Sequence, residues 1–180
     1  MNKIVPLSKF LAVVLRHHPE DFGITLDEFG FTPLDPVWQA IQAKFGNRYT
    51  HQDLLDVVAG DKQGKKRYEI VHGKIRAMYG HSAPEVSYPP IEPPDLLYHG
   101  TSPQAAQKIK ASGLQSLGRQ YVHLTTSIAI ATTVATRHAS QSVLLTIRAK
   151  EAHEAGIVFH QAEAEHYLVK HMPPRFIEFP

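Results

Sequence analysis

The chain of 180 residues contains no cysteine. That excludes disulfides, thiolate-bound zinc and thiol nucleophiles. Long apolar runs are missing too: nothing approaches the roughly 18 residues of a membrane span. The opening MNKIVPLSKF lacks the basic start and apolar stretch of a secretory signal. The expectation is a cytoplasmic protein without membrane attachment. Charge of one sign is scarce, since 19 Lys and Arg against 17 Asp and Glu leave a net +2. A strongly cationic nucleic-acid binder is therefore excluded as a description of the whole chain, although a local basic patch is not. No P-loop, GxGxxG or GxSxG elbow is present. There are 12 histidines, but no HExxH helix, and the adjacent His17 and His18 should diverge. No metal site is expected.

What is present is an ordinary globular composition, 43% hydrophobic and 20% charged. Residues 83–95, APEVSYPPIEPPD, hold Pro84, Pro89, Pro90, Pro93 and Pro94 of the 13 prolines. Such a run is stiff, extended and non-helical. It reads as a linker between a domain over 1–82 and a second over 96–180.

The first half reads as helical. Leu7, Phe10, Leu11, Val14 and Leu15 have helical spacing, and Pro19 stops that helix. Asp35-Pro36 reads as an N-cap with proline at the first helical position, opening a helix with Val37, Trp38, Ile41 and Phe45. Thr50 caps a third helix bearing Leu54, Leu55 and Val58, with Gly60 after its end. RYEIV and KIRAMY then flank a tight turn at His72-Gly73. Three helices and a two-stranded wing suggest a winged helix. The second half offers strands at LLYHG, YVHLT, SVLLTI, GIVFH, HYLVK and FIEF, with helices over Pro103–Ala111 and Ser127–His138. The class expected for the chain is α+β.

Four places invite a chemical reading, each beside a plainer one. Arg16 and His17 end the first helix, where cations also simply complement the helix dipole. Residues 61–76 set Lys62, Lys65, Lys66, Arg67, Lys74 and Arg76 against Asp61 and Glu69. This basic wing suits phosphate or is a solvated turn; Arg67, starting a strand, offers phosphate a rigid fork. Tyr98-His99-Gly100-Thr101 closes a strand, with a glycine that admits close approach and side chains that give directional hydrogen bonds. Gly118-Arg119 leads into a strand carrying His123, which is a binding loop or an ordinary buried histidine.

Taken in order, SKFLAVVLRHHPEDFGITLDEFGF, DKQGKKRYEI, IRAMYGHS, LYHGTS, GRQYVHL and the final FIEF resemble the NAD-dependent RNA 2′-phosphotransferases over roughly residues 7–179. The resemblance implies an N-terminal winged-helix lobe for RNA and a C-terminal ADP-ribosyltransferase-like lobe for NAD. It implies a catalytic set of Arg16, His17, Arg67 and Arg119, and cofactor contacts from His99, Gly100, Thr101, His123 and Leu124. RNA or phosphate contacts would come from Lys65, Lys66, Arg76, Gly80, His81 and Ser82. The implied substrate is a tRNA-like RNA with an internal 2′-phosphate, and NAD is consumed without a metal. The implied products are 2′-hydroxyl RNA, nicotinamide and ADP-ribose 1″,2″-cyclic phosphate, by way of an ADP-ribosylated 2′-phosphate. A monomer without an obligate protein partner is expected. Two departures stand out: Tyr79 replaces a usual glutamine, and AEAEHYL replaces a more usual Ala-Glu-Asn-Gly-aromatic-Leu.

Two other functions compete. Glu163-Ala164-Glu165 is superficially similar to the Glu-x-Glu of mono-ADP-ribosyltransferases, which would modify an RNA phosphate end or a protein and stop there. A winged-helix DNA-binding regulator is the other. Its recognition helix, Thr50 to Ala59, carries Asp53 and Asp56 and no lysine or arginine, which is ill matched to a polyanion.

Overall fold

The structure is a computed structural model that describes residues 3–82, 85–137 and 140–180. Its contacts separate two units, Met1–Ser87 and Tyr88–Pro180. The observed class is α+β.

In the first unit, α1 (Val5–Ala12) buries Leu7, Phe10 and Leu11. It runs on as a π-helical turn over Val13–His17, closed by the His18 N–H on the Val13 carbonyl at 2.8 Å. Pro19 ends it as expected, because proline supplies no N–H and disfavours helix in the residue before it. A short β1 (Thr32–Pro33) leads into α2 (Leu34–Phe45), which buries Val37 and Ile41. The expected Asp35 N-cap is corrected here. The helix begins at Leu34, whose N–H donates to the Gly73 carbonyl at 3.0 Å, so the neighbouring hairpin does the capping. Asp35 sits in the first turn, favourable for the helix dipole.

α3 (His51–Ala59) does start at Thr50, in a reciprocal capping box with Asp53. β2 (Tyr68–Val71) and β3 (Lys74–Ala77) pair antiparallel, with β1 on the other side of β3. Their turn, His72-Gly73, has φ of 49° and 73°, as a primed two-residue hairpin needs. Leu7, Leu11, Val14, Leu15, Val37, Ile41, Leu54, Tyr68 and Ile75 form the apolar centre.

The proline-rich segment is built into the fold rather than being a free spacer. Val86 is fully buried, the Ser87 N–H donates to the Glu28 carbonyl, and Pro90–Ile91 form β4. Residues 83 and 84 of that segment lie outside the described residues.

The second unit carries a seven-stranded sheet in the order β12-β8-β5-β7-β10-β9-β4. Its strands are β4, β5 (Leu96–Thr101), β7 (Val122–Thr125), β8 (Val143–Arg148), β9 (Phe159–Glu163), β10 (His166–Val169) and β12 (Ile177–Glu178). All recorded pairings are antiparallel. A small pair joins β6 (Leu114–Gln115) to β11 (His171–Met172). The helices are α4 (Pro103–Ser112), α5 (Ile128–Thr136) and α6 (Ala149–Glu154). The expected helix over Ser127–His138 is seen as α5 with Ser127 as its N-cap, and His138 lies outside the described residues. GIVFH is only partly a strand, because Gly156 and Ile157 close α6, a helix not anticipated from the sequence. Leu97, Leu124, Leu145, Ile147, Phe159, Val169 and Met172 fill this second core.

Among the described residues, no helix is long and apolar enough to cross a membrane. No group of three or more metal-ligating side chains is placed to hold a metal ion among them.

Candidate functional site

Arg16 and His17 are set by the π turn. Such turns add a residue to a helix and disturb its ladder locally. The Arg16 carbonyl, left over at the helix end, accepts the Ser82 N–H at 2.9 Å and the Ser82 hydroxyl at 3.4 Å. The His17 Nδ1 lies 2.8 Å from Ser82 Oγ. The segment after β3 is thus stitched to the end of the first helix.

The Arg16 guanidinium is walled by aromatic rings, 5.5 Å from the Tyr68 centroid and 5.1 Å from that of Tyr79. Gly80 closes over it: at φ of +86°, its Cβ position would lie 3.6 Å from Arg16 Cδ and Nη1. The Nε and Nη2 atoms are buried and meet no hydrogen-bond acceptor among the described residues. Lys65 Nζ sits 5.6 Å from the Tyr79 ring. Tyr68 anchors the wall through its hydroxyl on the Ser8 carbonyl at 2.6 Å. Burial raises its pKa, against the pull of Arg16 and Arg67.

Arg67 stands one residue before β2, and its Nη1 donates to Asp61 Oδ2 at 3.0 Å. Asp61 also accepts the N–H groups of Gln63 and Lys65, each at 3.0 Å. Burial pushes the Asp61 pKa up, but the Lys65 N–H, the Arg67 fork and the Gln63 N–H together hold it below the usual carboxylate value. Asp61 therefore orders the basic loop and aims Arg67 at once. Sequence reasoning had counted it only as a negative charge; its signal was the Asx-turn spacing to Gln63 and Lys65.

Arg16, His17, Gly80 and Ser82 are thus joined by direct contacts, Lys65 reaches the same Tyr79 ring as Arg16, and Arg67 acts on Tyr68 alongside Arg16. His81 accompanies them as a packing residue, 3% exposed. Burial lowers its pKa to about 4, helped by Arg16, Arg76 and His17, so it is neutral at pH 7. Arg76 is committed elsewhere: it pairs with Glu69 across the hairpin, donates to the Phe29 carbonyl and stacks on Phe31 at 4.5 Å. Lys66 is exposed.

In the second unit, His99-Gly100-Thr101 is the end of β5, as the sequence predicts, paired with Leu145, Leu144 and Val143 of β8. Gly100 has a packing reason. A Cβ there would lie 1.9 Å from the Ala131 carbonyl oxygen, so glycine is what lets α5 lie on the sheet. On its other side β5 shares one register pair with β7, Tyr98↔Thr125. Beyond that pair, the His99 Nδ1 donates to the His123 carbonyl at 2.9 Å. Burial depresses the His99 pKa against this bond, which fixes a neutral ring with Nε2 as an acceptor. A desolvated acceptor where two strands part suits a hydroxyl-bearing ligand such as a nucleotide ribose.

The His123 Nδ1 lies 2.7 Å from His166 Nε2, and His166 Nδ1 lies 3.8 Å from Glu163. Neither His166 nor Glu163 was anticipated as a neighbour of His123, because the meeting depends on strand register. Leu124 is 1% exposed, so its side chain belongs to the core. Arg119 is exposed on the loop between β6 and β7. That loop ends at buried Tyr121, whose ring meets Tyr88, His160 and the Lys170 ammonium.

The family described as RNA 2′-phosphotransferase, Tpt1/KptA family, matches residues 2–171. The chain is similar to a protein of Lacticaseibacillus paracasei called "Probable RNA 2′-phosphotransferase", with 38% identity over 177 residues, covering 98% of this chain and 93% of that one. A protein of the same name from Acetivibrio thermocellus is 38% identical over 175 residues, covering 96% and 95%. Another from Escherichia coli strain K12 is 39% identical over 180 residues, covering 99% and 97%. With the match running over nearly the whole chain, the protein belongs to the RNA 2′-phosphotransferase family of enzymes, the Tpt1/KptA family.

Proposed function

We propose that the protein removes an internal 2′-monophosphate from RNA and transfers it to NAD. The steps would run through an ADP-ribosylated 2′-phosphate to 2′-hydroxyl RNA, nicotinamide and ADP-ribose 1″,2″-cyclic phosphate. The observation that carries this reading is the Arg16 guanidinium, flanked by two tyrosine rings, with buried donors that meet no acceptor among the described residues and with Lys65 at the same Tyr79 ring. Buried donors of that kind call for an anionic acceptor, and a phosphate dianion with several oxygens meets the demand.

In this reading the first unit is a winged helix that holds the RNA, and the second is an ADP-ribosyltransferase-like lobe that holds NAD. NAD supplies an electrophilic ribose carbon with a good leaving group and, next to it, a hydroxyl able to attack phosphorus. The chain's own residues position and neutralise. Arg16 grips the phosphate, and Arg67, aimed by Asp61, takes further oxygens in its fork. Arg119 is read as a third guanidinium of the catalytic set, for charge spread over the equatorial oxygens. His17 accepts a proton at Nε2 while its Nδ1 is pinned to Ser82. His99 accepts from a ribose hydroxyl at Nε2, and Thr101 lies two residues further along the same strand. Glu163, which would serve a Glu-x-Glu transferase, faces His166 instead.

The test is a short RNA with one internal 2′-phosphate, incubated with NAD and enzyme without added metal, with products resolved by gel and mass spectrometry. Wild type is expected to release 2′-hydroxyl RNA and the cyclic phosphate, while Arg67→Ala accumulates ADP-ribosylated RNA. Unchanged RNA, with nicotinamide released and ADP-ribose transferred to another acceptor, overturns the reading in favour of a plain ADP-ribosyltransferase.

A further inference from the structure

The loop over residues 27–31, just before β1, is locked by its own chemistry. The Asp27 carboxylate accepts the N–H groups of Phe29 at 3.0 Å and of Phe31 at 2.9 Å. The Asp27 N–H donates to the Phe31 carbonyl at 2.8 Å, and the Gly30 N–H to the Asp27 carbonyl at 2.9 Å. Aspartate closes turns on itself in this way. Behind the loop, a Cβ on Gly30 would lie 3.2 Å from His81 Nε2, so glycine lets the backbone sit against that ring. Strand register adds a clamp. Thr32 pairs with Ile75, which brings Phe31 opposite Arg76. Arg76 lies over the Phe31 ring at 4.5 Å and donates to the Phe29 carbonyl at 3.2 Å.

The two phenylalanines of the loop differ. Phe31 is half-buried beneath Arg76, whereas Phe29 is 44% exposed and its ring meets no other ring or cation among the described residues. A single exposed apolar side chain is ordinary. This one is carried by a backbone already fixed by a carboxylate and a guanidinium, so little ordering is left for a ligand to impose. The loop also has a neighbour in common with Arg16: His81, against which Gly30 packs, feels the charges of Arg16, Arg76 and His17. An open aromatic face on a rigid loop, close to a guanidinium that calls for phosphate, fits one ligand chemistry. Single-stranded RNA is held by bases stacked on aromatic rings and by cations along its backbone.

We infer that Phe29 is a stacking platform for an unpaired base next to the 2′-phosphate, with Asp27 and Arg76 holding the platform still. This rests on the reading of the first unit as the one that holds RNA, with the phosphate at Arg16. Arg76, implied by the resemblance to touch RNA, acts instead through the ring it steadies. Every base has an aromatic face, so the contact selects unpaired bases without choosing a sequence.

The test is fluorescence anisotropy on the full chain without NAD. The probes are a short RNA with one internal 2′-phosphate and the same strand made abasic at the nucleotide on either side. Phe29→Leu keeps an apolar side chain and is expected to bind the intact strand about tenfold more weakly, the worth of one stacked base. Phe29→Trp restores the affinity. One of the two abasic strands costs wild type a similar factor and costs Phe29→Leu nothing more, because base and ring act through one contact. The cycle compares strands on the same protein, so a change in folding does not imitate it. Equal binding by Phe29→Leu and wild type overturns the inference, as do abasic losses that stay full size in the variant, or a wild type that binds none of the strands. With NAD added, wild type that binds the strand but leaves its phosphate in place defeats the proposed reaction, and the cycle still decides the role of Phe29. Phosphate removal without coupling in the cycle defeats the role of Phe29 alone.

Discussion

The Arg16 guanidinium lies 5.1 Å from the centre of the Tyr79 ring, with Nε and Nη2 buried and facing no acceptor among the described residues. Leaving such donors unmatched costs on the order of 1–3 kcal/mol each, while the aromatic wall returns about 1 kcal/mol. The arrangement favours binding at the expense of stability. Inorganic phosphate is therefore expected to raise the melting temperature of wild type in a saturable way. Arg16→Met should abolish that response and, in phosphate-free buffer, melt no lower than wild type. A phosphate response that survives in Arg16→Met would move the anion elsewhere. Tyr79→Leu should keep the response but weaken it several-fold.

Asp61 supports a second expectation. Its carboxylate accepts two backbone N–H groups of the basic loop and the Arg67 guanidinium. Asp61→Asn keeps the size but exchanges a charged acceptor for a neutral amide. Turnover of 2′-phosphorylated RNA should fall roughly tenfold, as expected when a charge-assisted hydrogen bond weakens, and KM for NAD should stay within twofold. Equal losses in both parameters would mean that the loop has collapsed rather than that Arg67 has been misaimed.

The elements most legible in the sequence were those whose residues state their own reason. Thr50 with Asp53 three positions on, Pro19 after an apolar stripe, and His72-Gly73 between alternating runs each name a cap, a stop or a turn through local chemistry. Arg16 and Arg67 were legible only as candidates: their residue types left a helix cap and a solvated turn open, and the resemblance singled them out. What stayed hidden was set at a distance. The start of α2 depends on a carbonyl from residue 73. α6 spans six residues, too few for an apolar stripe to show. The commitment of Arg76 to Glu69 and the meeting of His123 with His166 both depend on strand register, which no single segment encodes.

Gly100 and Gly118 offer a paired test of what each glycine is for. A methyl at Gly100 would sit 1.9 Å from a backbone oxygen of α5, whereas one at Gly118 would have nothing within 4 Å. Gly100→Ala must push α5 off the sheet and should destabilise by a few kcal/mol, read as a clear fall in the urea midpoint. Gly118→Ala should leave the midpoint unchanged. If both variants melt like wild type, α5 does not lie on β5 in the way described.

His81 makes the stability of the first unit sensitive to acid. Its folded pKa is about 4, below the ordinary 6.5, because burial and the neighbouring cations oppose a charge there. Between those values the unfolded chain takes up a proton that the folded chain refuses. The stability held above pH 6.5 is therefore lost progressively as pH falls towards 4, by up to about 3 kcal/mol. Other groups titrate over the same range, so the quantity to read is a difference. Urea unfolding of wild type and His81→Gln at several pH values should give curves that converge with acid, wild type losing more stability than the variant. Parallel curves would show that the His81 imidazole charges freely in the folded protein. It would then stand as a cation beside Arg16 at mildly acidic pH, adding to the phosphate grip instead of filling space behind it.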